Sequence, residues 1–465
     1  MNRVKDMTQG NPTRLILMFA IPLILGNLGQ QLYMIIDAII VGQGVGVTAL
    51  ASLGATDWTY WLLLWVIQAL TQGCAIRITQ DFGSKNHDQL RRSIAMSIII
   101  CAVAGIVVTV LGLIAGRPLL ELLNTPENLL DGALTYLYIM VSGIMVVVCY
   151  NLSSSILRAF GDGKTPLIAM AIAAVTNIAL DLLFVMVFSW GIAGAAIATV
   201  IAQFISFLYC LLVIRKIKFI KLHKEDWTIQ SPLIKGLLKL GSPLVLQHIV
   251  IAVGGMVLQS VINKYGFLFV AGFTATNKLY GLLESSAISF GYASTTFTAQ
   301  NWGARKIKRI KEGLKSSTKL SLMVSVFVSI LMIVFGKPLL QLFISNDANS
   351  AEVLNIAYQY LFIMSLLLSS LYMLYTYRCT LQGLGNTVAP MISGFIEFVM
   401  RIGSALLLPI FMGSLGIFFA EVTAWVGAMI YLMYACLTSI KEITETVPDA
   451  EEEEVLQETL VFENE

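Results

Sequence analysis

The sequence predicts an all-α integral membrane protein with twelve transmembrane helices in two six-helix bundles. Three observations carry this expectation. The 465-residue chain is 57% apolar and only 12% charged, with a mean hydropathy of +0.80. Too little charge is present to cover a soluble surface of this size, so lipid is the expected solvent. Apolar stretches of about 20 residues, enough to cross a bilayer, recur along the whole length. The second half of the chain also repeats the first at a nearly fixed offset.

The apolar stretches place spans at 14–40, 50–76, 93–115, 131–156, 165–188, 192–214, 236–262, 268–299, 316–335, 352–377, 388–411 and 414–437. Basic residues test this layout. One side takes the N-terminus, the loops near 77–92, 157–164, 215–239, 300–319 and 378–387, and the C-terminus. It holds all but five of the 30 Lys and Arg residues. The other side holds Arg117, Lys264 and Lys337, while Lys278 and Arg401 fall inside spans. The positive-inside rule then puts both termini in the cytoplasm. The opening segment to Thr13 is polar and leads straight into a span, which is not the pattern of a secretory signal. Six cysteines are scattered singly without metal spacing and read as small apolar packing residues.

The repeat appears in four places, in the same order. Ile21-Pro22-Leu23 answers to Ser242-Pro243-Leu244, and Gln80-Asp81-Phe82-Gly83 to Gln300-Asn301-Trp302-Gly303. Gly116-Arg117-Pro118-Leu119-Leu120 answers to Gly336-Lys337-Pro338-Leu339-Leu340, and Leu157–Asp162 to Leu381–Asn386, with Pro166 and Pro390 following in step. Matches in a common order indicate a duplicated unit. Six spans is an even number, so both halves enter the membrane in the same direction. A pseudo-two-fold axis along the membrane normal is expected, as in transporters built from parallel repeats. The expected domains are an N-terminal lobe (1–214), a basic cytoplasmic linker (215–235), a C-terminal lobe (236–437) and an acidic, disordered cytoplasmic tail (438–465).

These residues resemble the multidrug and toxic compound extrusion (MATE) family, most closely its DinF-like branch. The marks are Ile21-Pro22 through Asp37 and Val41-Gly42, the Gln80-Asp81-Phe82-Gly83 loop, and the run Arg158-Ala159-Phe160-Gly161-Asp162-Gly163-Lys164-Thr165-Pro166. The resemblance spans residues 7 to 437. It implies a V-shaped pair of six-helix bundles that exports amphipathic, often cationic drugs or toxic metabolites by antiport against protons or sodium ions. The alternative is a lipid-linked precursor flippase of the same superfamily. Such proteins tend to carry more basic residues in the central cavity than the Lys278 and Arg401 found here.

Acids inside the spans locate the candidate coupling site. An ionised Asp at the bilayer centre costs about 2.5–3.5 kcal/mol, so it needs a partner, a proton, a cation or water. Asp181 lies about 16 residues into an outward-running span, or roughly 24 Å up at 1.5 Å per residue. Asn177 is one turn below it on the same face. Thr199, about 7 residues into the returning span, reaches a similar depth, and Asp37 sits late in the first span. Two carboxylates with an amide and a hydroxyl offer hard oxygen ligands for a sodium ion, or a shared site for a proton. A buried polar network that only fixes helix packing is the competing reading. The resemblance implies that Asp37, Asn177, Asp181 and Thr199 form the N-lobe cation or proton site of the DinF-like branch. The NorM-like branch also uses acids in its seventh and tenth spans. Here the seventh offers Gln247, His248, Gln259 and Asn263, and the tenth has no acid after Glu352.

Elsewhere, Glu397 and Arg401 stand one turn apart, and Glu284 stands near Lys278; both spacings suggest ion pairs. Glu421 reads as an outer-mouth residue. Gln30, Tyr33, Tyr136, Met140, Asn151, Lys278 and Glu284 are candidate cavity residues, and Pro22 is a candidate bending point because it removes a helix hydrogen bond. No nucleophile–base or metal cluster marks an intramembrane enzyme, and no Gly-x-x-x-x-Gly-Lys-Ser/Thr loop marks an ATP-driven pump. The expected protein is therefore a monomeric transporter in the plasma (inner) membrane of a prokaryote. It takes small drug-like molecules, with no nucleic-acid partner and no cofactor beyond the coupling H⁺ or Na⁺.

Overall fold

The computed structural model describes residues 4–123, 125–344 and 349–450. Among these residues, fourteen α-helices make up twelve spans. In order they are α1 (Pro12–Gly44), α2 (Val47–Gly83), α3 (His87–Leu122), α4 (Glu127–Ser142), α5 (Ile144–Ala159), α6 (Lys164–Asp181) and α7 (Gly191–Ile214), then α8 (Ser231–Ile262), α9 (Phe267–Gly303), α10 (Ile307–Gln341), α11 (Ser350–Leu366), α12 (Leu368–Gly383), α13 (Val388–Met412) and α14 (Leu415–Thr446). The pairs α4–α5 and α11–α12 are single spans bent by 48° and 50°. A π-helical turn, Leu182–Val187, extends α6. Among the described residues, nine helices are long and apolar enough to cross a membrane, or eleven spans with the two bent pairs. The remaining long helix, α9, has 37 residues and carries Lys278, Glu284 and many Ser and Thr, which lowers its hydropathy.

Several helices continue past the apolar stretch that marks them. α2 runs to Gly83, α10 starts at Ile307, and α14 runs to Thr446. Backbone hydrogen bonding does not stop where the hydrocarbon stops, so polar end turns stay helical. The stretch 438–446, expected as tail, is therefore the last part of α14. The run Glu451–Glu454 and the rest of the expected disordered tail lie outside the described residues. The linker is not featureless either. It forms short 3-10 turns at Lys218–Ile220 and Lys224–Trp227, and Asp226 takes the Arg91 guanidinium at 3.3 Å.

Two compact units divide the chain. The first comprises Met1–Asp6 and Pro22–Val245, the second Met7–Ile21 and Leu246–Glu465. One boundary falls inside α1 at Pro22; the other falls inside α8, shortly after Pro243. In the first unit a core of Ile67, Met96, Leu137, Val141 and Val147 fills the space among α2, α3, α4 and α5. Gly73 permits the crossing of α2 with α8: a Cβ there would stand 2.4 Å from the Gly241 Cα. In the second unit, Tyr360 stacks between Phe273 at 4.5 Å and Phe418 at 5.2 Å. Outer faces such as Val103, Ile106, Val110 and Ile114 of α3, and Phe327, Ile330 and Val334 of α10, are apolar and exposed. Faces of this kind are stable in contact with lipid tails.

The duplication extends to the backbone. Lys85 (φ 57°) and Arg305 (φ 56°) occupy equivalent loop positions in the left-handed region, as do Gly161 (φ 72°) and Gly385 (φ 87°). Side chains other than glycine rarely adopt this conformation, so its recurrence at matched positions reflects a shared loop geometry.

Candidate cation-coupling site

The site is built on α6, and the start of that helix fixes its placement. Asp162 Oδ1 accepts hydrogen bonds from the backbone N–H groups of Lys164 (3.0 Å) and Thr165 (2.9 Å). These are donors that a helix N-terminus leaves open, and a carboxylate there also complements the helix dipole. Pro166 follows in the first turn, where its missing N–H costs nothing. Farther along α6, Ser206 of α7 donates to the Ala169 carbonyl at 2.7 Å and holds the two helices in register.

That register brings Asn177 and Thr199 together. The Asn177 amide donates to Thr199 Oγ1 at 3.3 Å, which leaves Asn177 Oδ1 buried and without a donor. Asp181, one turn on, is 0% exposed. Neither of its carboxyl oxygens receives a hydrogen bond, and Asp37 Oδ1 is buried in the same condition. The carboxyl groups of Asp37 and Asp181 are near enough to interact electrostatically. Two carboxylates tolerate this closeness only with a proton or a cation between them. The centre therefore gathers four buried acceptor oxygens that receive no hydrogen bond from the described residues. Ile40 and Val41 of α1 pack with Ala49, Leu53, Val185 and Ala195 in an apolar cluster on the same helices. The π-helical turn begins immediately after Asp181; such turns widen a helix and recur at functional positions.

Two carboxylates, an amide oxygen and a hydroxyl suit one monovalent cation or a proton. Among the described residues no group of three or more His, Cys, Asp or Glu side chains is arranged to hold a metal ion. Tyr33, Tyr60 and Tyr136 stand near enough to sense the charges here: Tyr33 and Tyr136 interact with Asp37, and Tyr60 with Tyr33. Tyr60, with a buried hydroxyl lacking a partner, was not among the sequence candidates. Its only signal in the sequence is a tyrosine in the span that follows α1.

The other candidates are scattered. Gln30 is half-buried on α1, and Asn151 donates to the Val147 carbonyl at 3.0 Å. Met140 is packed in the apolar core of the first unit. In the second unit the expected ion pairs are replaced by others. Glu397 pairs with Arg378 rather than Arg401, and Arg401 pairs with Glu421 at 2.8 Å. Glu421 is thus an ion-pair partner rather than a solvated mouth residue. Arg378, assigned above to a loop, lies in α12 at 4% exposure, bonded also to Ser393 at 3.0 Å. One helical turn misplaces the Glu397–Arg401 pair because the partners that point inward come from neighbouring helices. Lys278 is exposed and forms no ion pair with Glu284, which instead accepts from the Tyr375 hydroxyl at 2.9 Å.

Fold and site together define a polytopic membrane transporter. The MatE family profile matches this chain twice, at residues 22–183 and 243–407, so each repeat carries one copy. The chain belongs to the multidrug and toxic compound extrusion family, a family of transporters and not of enzymes. It is 34% identical over 344 residues to "Probable multidrug resistance protein YpnP" of Bacillus subtilis, covering 73% of this chain and 76% of that protein. It is 23% identical to "DNA damage-inducible protein F" of Escherichia coli, over 70% of this chain and 72% of that one. A solved MATE structure in the bent conformation shares the fold, with a TM-score of 0.88 at 21% identity, covering 96% of this chain and 99% of the other.

Proposed function

We propose that this chain is a secondary antiporter exporting amphipathic, often cationic drugs or toxic metabolites in exchange for protons or sodium ions. The coupling site in this reading is Asp37, Asn177, Asp181 and Thr199. One observation carries it: Asp181 is wholly buried, faces a second carboxyl, and has neither a basic partner nor a hydrogen-bond donor among the described residues. A packing network would satisfy its own acceptors. A transport site leaves them to the ion it carries.

In the outward-open state, an ion or proton enters among the four acceptor oxygens. Their mutual repulsion falls, α1 bends at Pro22, and the cavity lined by Gln30, Tyr33, Tyr136 and Asn151, with Met140 behind them, releases its substrate. One charge crossing about 150 mV supplies roughly 3.5 kcal/mol, more than a hundredfold in concentration. The lobes in this reading are 1–214 and 236–437, joined by the linker 215–235. The protein works as a monomer in the inner membrane of a prokaryote, with both termini cytoplasmic. Drug export is favoured over flipping of an anionic lipid-linked substrate by the pairing of Arg378 with Glu397 and of Arg401 with Glu421, which neutralises both buried arginines of the second unit.

The test is dye export from proteoliposomes with a pH gradient and a sodium gradient imposed separately. One gradient drives export by the natural sequence. Asp181→Asn and Asp37→Asn each lose at least about tenfold of that driven flux, because an amide can neither release a proton nor balance a cation. Full coupled export in both variants overturns the site.

A further inference from the structure

Well inside the spans of the second unit lie the acids Glu284, Glu397 and Glu421 and the buried arginines Arg378 and Arg401, and the pairing leaves Glu284 over among these. Arg378 holds Glu397 and Arg401 holds Glu421. Glu284, near the middle of α9, forms no ion pair among the described residues. It accepts from the Tyr375 hydroxyl at 2.9 Å, and Tyr280, one turn earlier on its own helix, stands near enough to interact with it. Trp425 of α14, 1% exposed, stacks on the Tyr280 ring at 5.7 Å between centroids and 16° between planes. A guanidinium, that of Arg378, already lies over the Tyr375 ring at 5.5 Å.

Glu284 is also reachable. Along α9 the positions Thr274, Lys278, Gly281, Glu284, Ile288 and Tyr292 are exposed or half-buried, while Phe273, Leu279, Leu283 and Phe290 are buried. The first set recurs every three or four residues and so forms one face of the helix. A continuous accessible face on a membrane-spanning helix, with an ionisable group in it, is the mark of a ligand path.

We propose that Glu284, with Tyr280 and Tyr375, is a subsite for the charged group of an organic cation such as a quaternary ammonium or phosphonium. The carboxylate supplies the opposite charge, the Tyr375 hydroxyl holds it in place, and the aromatic rings beside it favour a weakly hydrated cation. The carboxylate here is single and already accepts from a phenol, which separates this subsite from the centre of the first unit, where two carboxyl groups interact. The inference rests on the export reading for its biological use, but its binding claim does not depend on Asp181.

The experiment is fluorescence anisotropy of ethidium, a permanent cation, bound to the purified full-length protein. Glu284→Gln raises the ethidium Kd about tenfold, and Tyr375→Phe, which keeps the ring, raises it about threefold. Glu284→Gln lowers gradient-driven export of ethidium by at least about fivefold more than export of an uncharged dye, since only the cation needs the carboxylate. An unchanged ethidium Kd in Glu284→Gln overturns the proposal. So does an equal loss of cation and uncharged-dye export, which assigns Glu284 to proton movement or packing instead. A second measurement does not depend on that variant folding. In Lys278→Cys, on the same accessible face, ethidium slows maleimide labelling about fivefold, and no slowing overturns the subsite. If Asp181→Asn retains coupled export, the coupling assignment fails while the ethidium result stands or falls separately.

Discussion

In the first unit, Asp37 and Asp181 interact with each other and with no basic group among the described residues, whereas in the second, Glu397 and Glu421 each hold an arginine. Both arrangements place carboxylates where water is scarce, and a buried charge without a partner is costly. The second unit meets that cost internally, with partners that stay. The first leaves it open, which makes sense only if something that comes and goes supplies the missing charge. The duplication built one frame twice, and the charge chemistry then diverged within it.

The largest effect that can break this comparison is in the second unit. Removing one member of a buried pair strands the other, so Arg378→Met or Glu397→Gln should cost about 3–5 kcal/mol. Thermal unfolding of the detergent-solubilised protein measures it. The double substitution Arg378→Met with Glu397→Leu should recover most of the loss, because apolar side chains of similar size carry no desolvation penalty. Asp181→Asn should behave oppositely, leaving stability unchanged or raised while it abolishes coupling. A fall as large as that for Glu397→Gln means that Asp181 is also a structural residue, and the contrast between the units disappears.

An intermediate effect sharpens the same comparison at the level of packing. Gly73→Ala drives a methyl into the Gly241 backbone of the first unit, and Gly313→Ala drives one into the Phe297 ring of the second, 2.2 Å from a built Cβ. Overpacking of this kind costs about 1–3 kcal/mol. Backbone cannot give way as a ring can, so Gly73→Ala should lower the unfolding temperature more. Equal shifts argue that α8 simply moves aside.

Much of this was legible in the sequence because bilayer physics writes it plainly. Twelve spans follow from apolar runs, and the repeat from matched prolines, glycines and loops. Asp181, Asn177 and Thr199 were placed at one depth by counting residues, and α6 and α7 bring the last two together. What stayed illegible involves neighbours across helices. Arg378 stands at the end of an apolar run and reads as loop, until α12 is seen to continue to Gly383 and bury it against Glu397. The bends at Gly143 and Leu367 occupy matched positions of the two repeats, yet only one carries a glycine. Backbone geometry is conserved there without a residue type to announce it.

The smallest predicted effect lies where the repeat solves one problem in two ways. The loop that enters α3 ends at Asn86, whose Oδ1 accepts from the Gln89 N–H at 3.0 Å. Its counterpart entering α10 ends at Lys306, which makes no side-chain cap. There the chain beyond α14 returns: Asp449 Oδ2 accepts from the Lys308 N–H at 2.7 Å, and the Ala450 N–H donates to the Arg305 carbonyl at 3.1 Å. A cap supplied from the far end of the chain satisfies the same open donors as a local one. Asn86→Ala and Asp449→Ala should therefore each cost about 1 kcal/mol. Asp449→Ala should in addition expose the segment after Thr446 to proteolysis, which Asn86→Ala leaves unchanged. Lys306→Asn in the Asp449→Ala background restores the lost stability by giving α10 its own cap, but it does not restore protease resistance. If it restores both, the returning segment is held by contacts other than Asp449, and the cap is incidental to its docking.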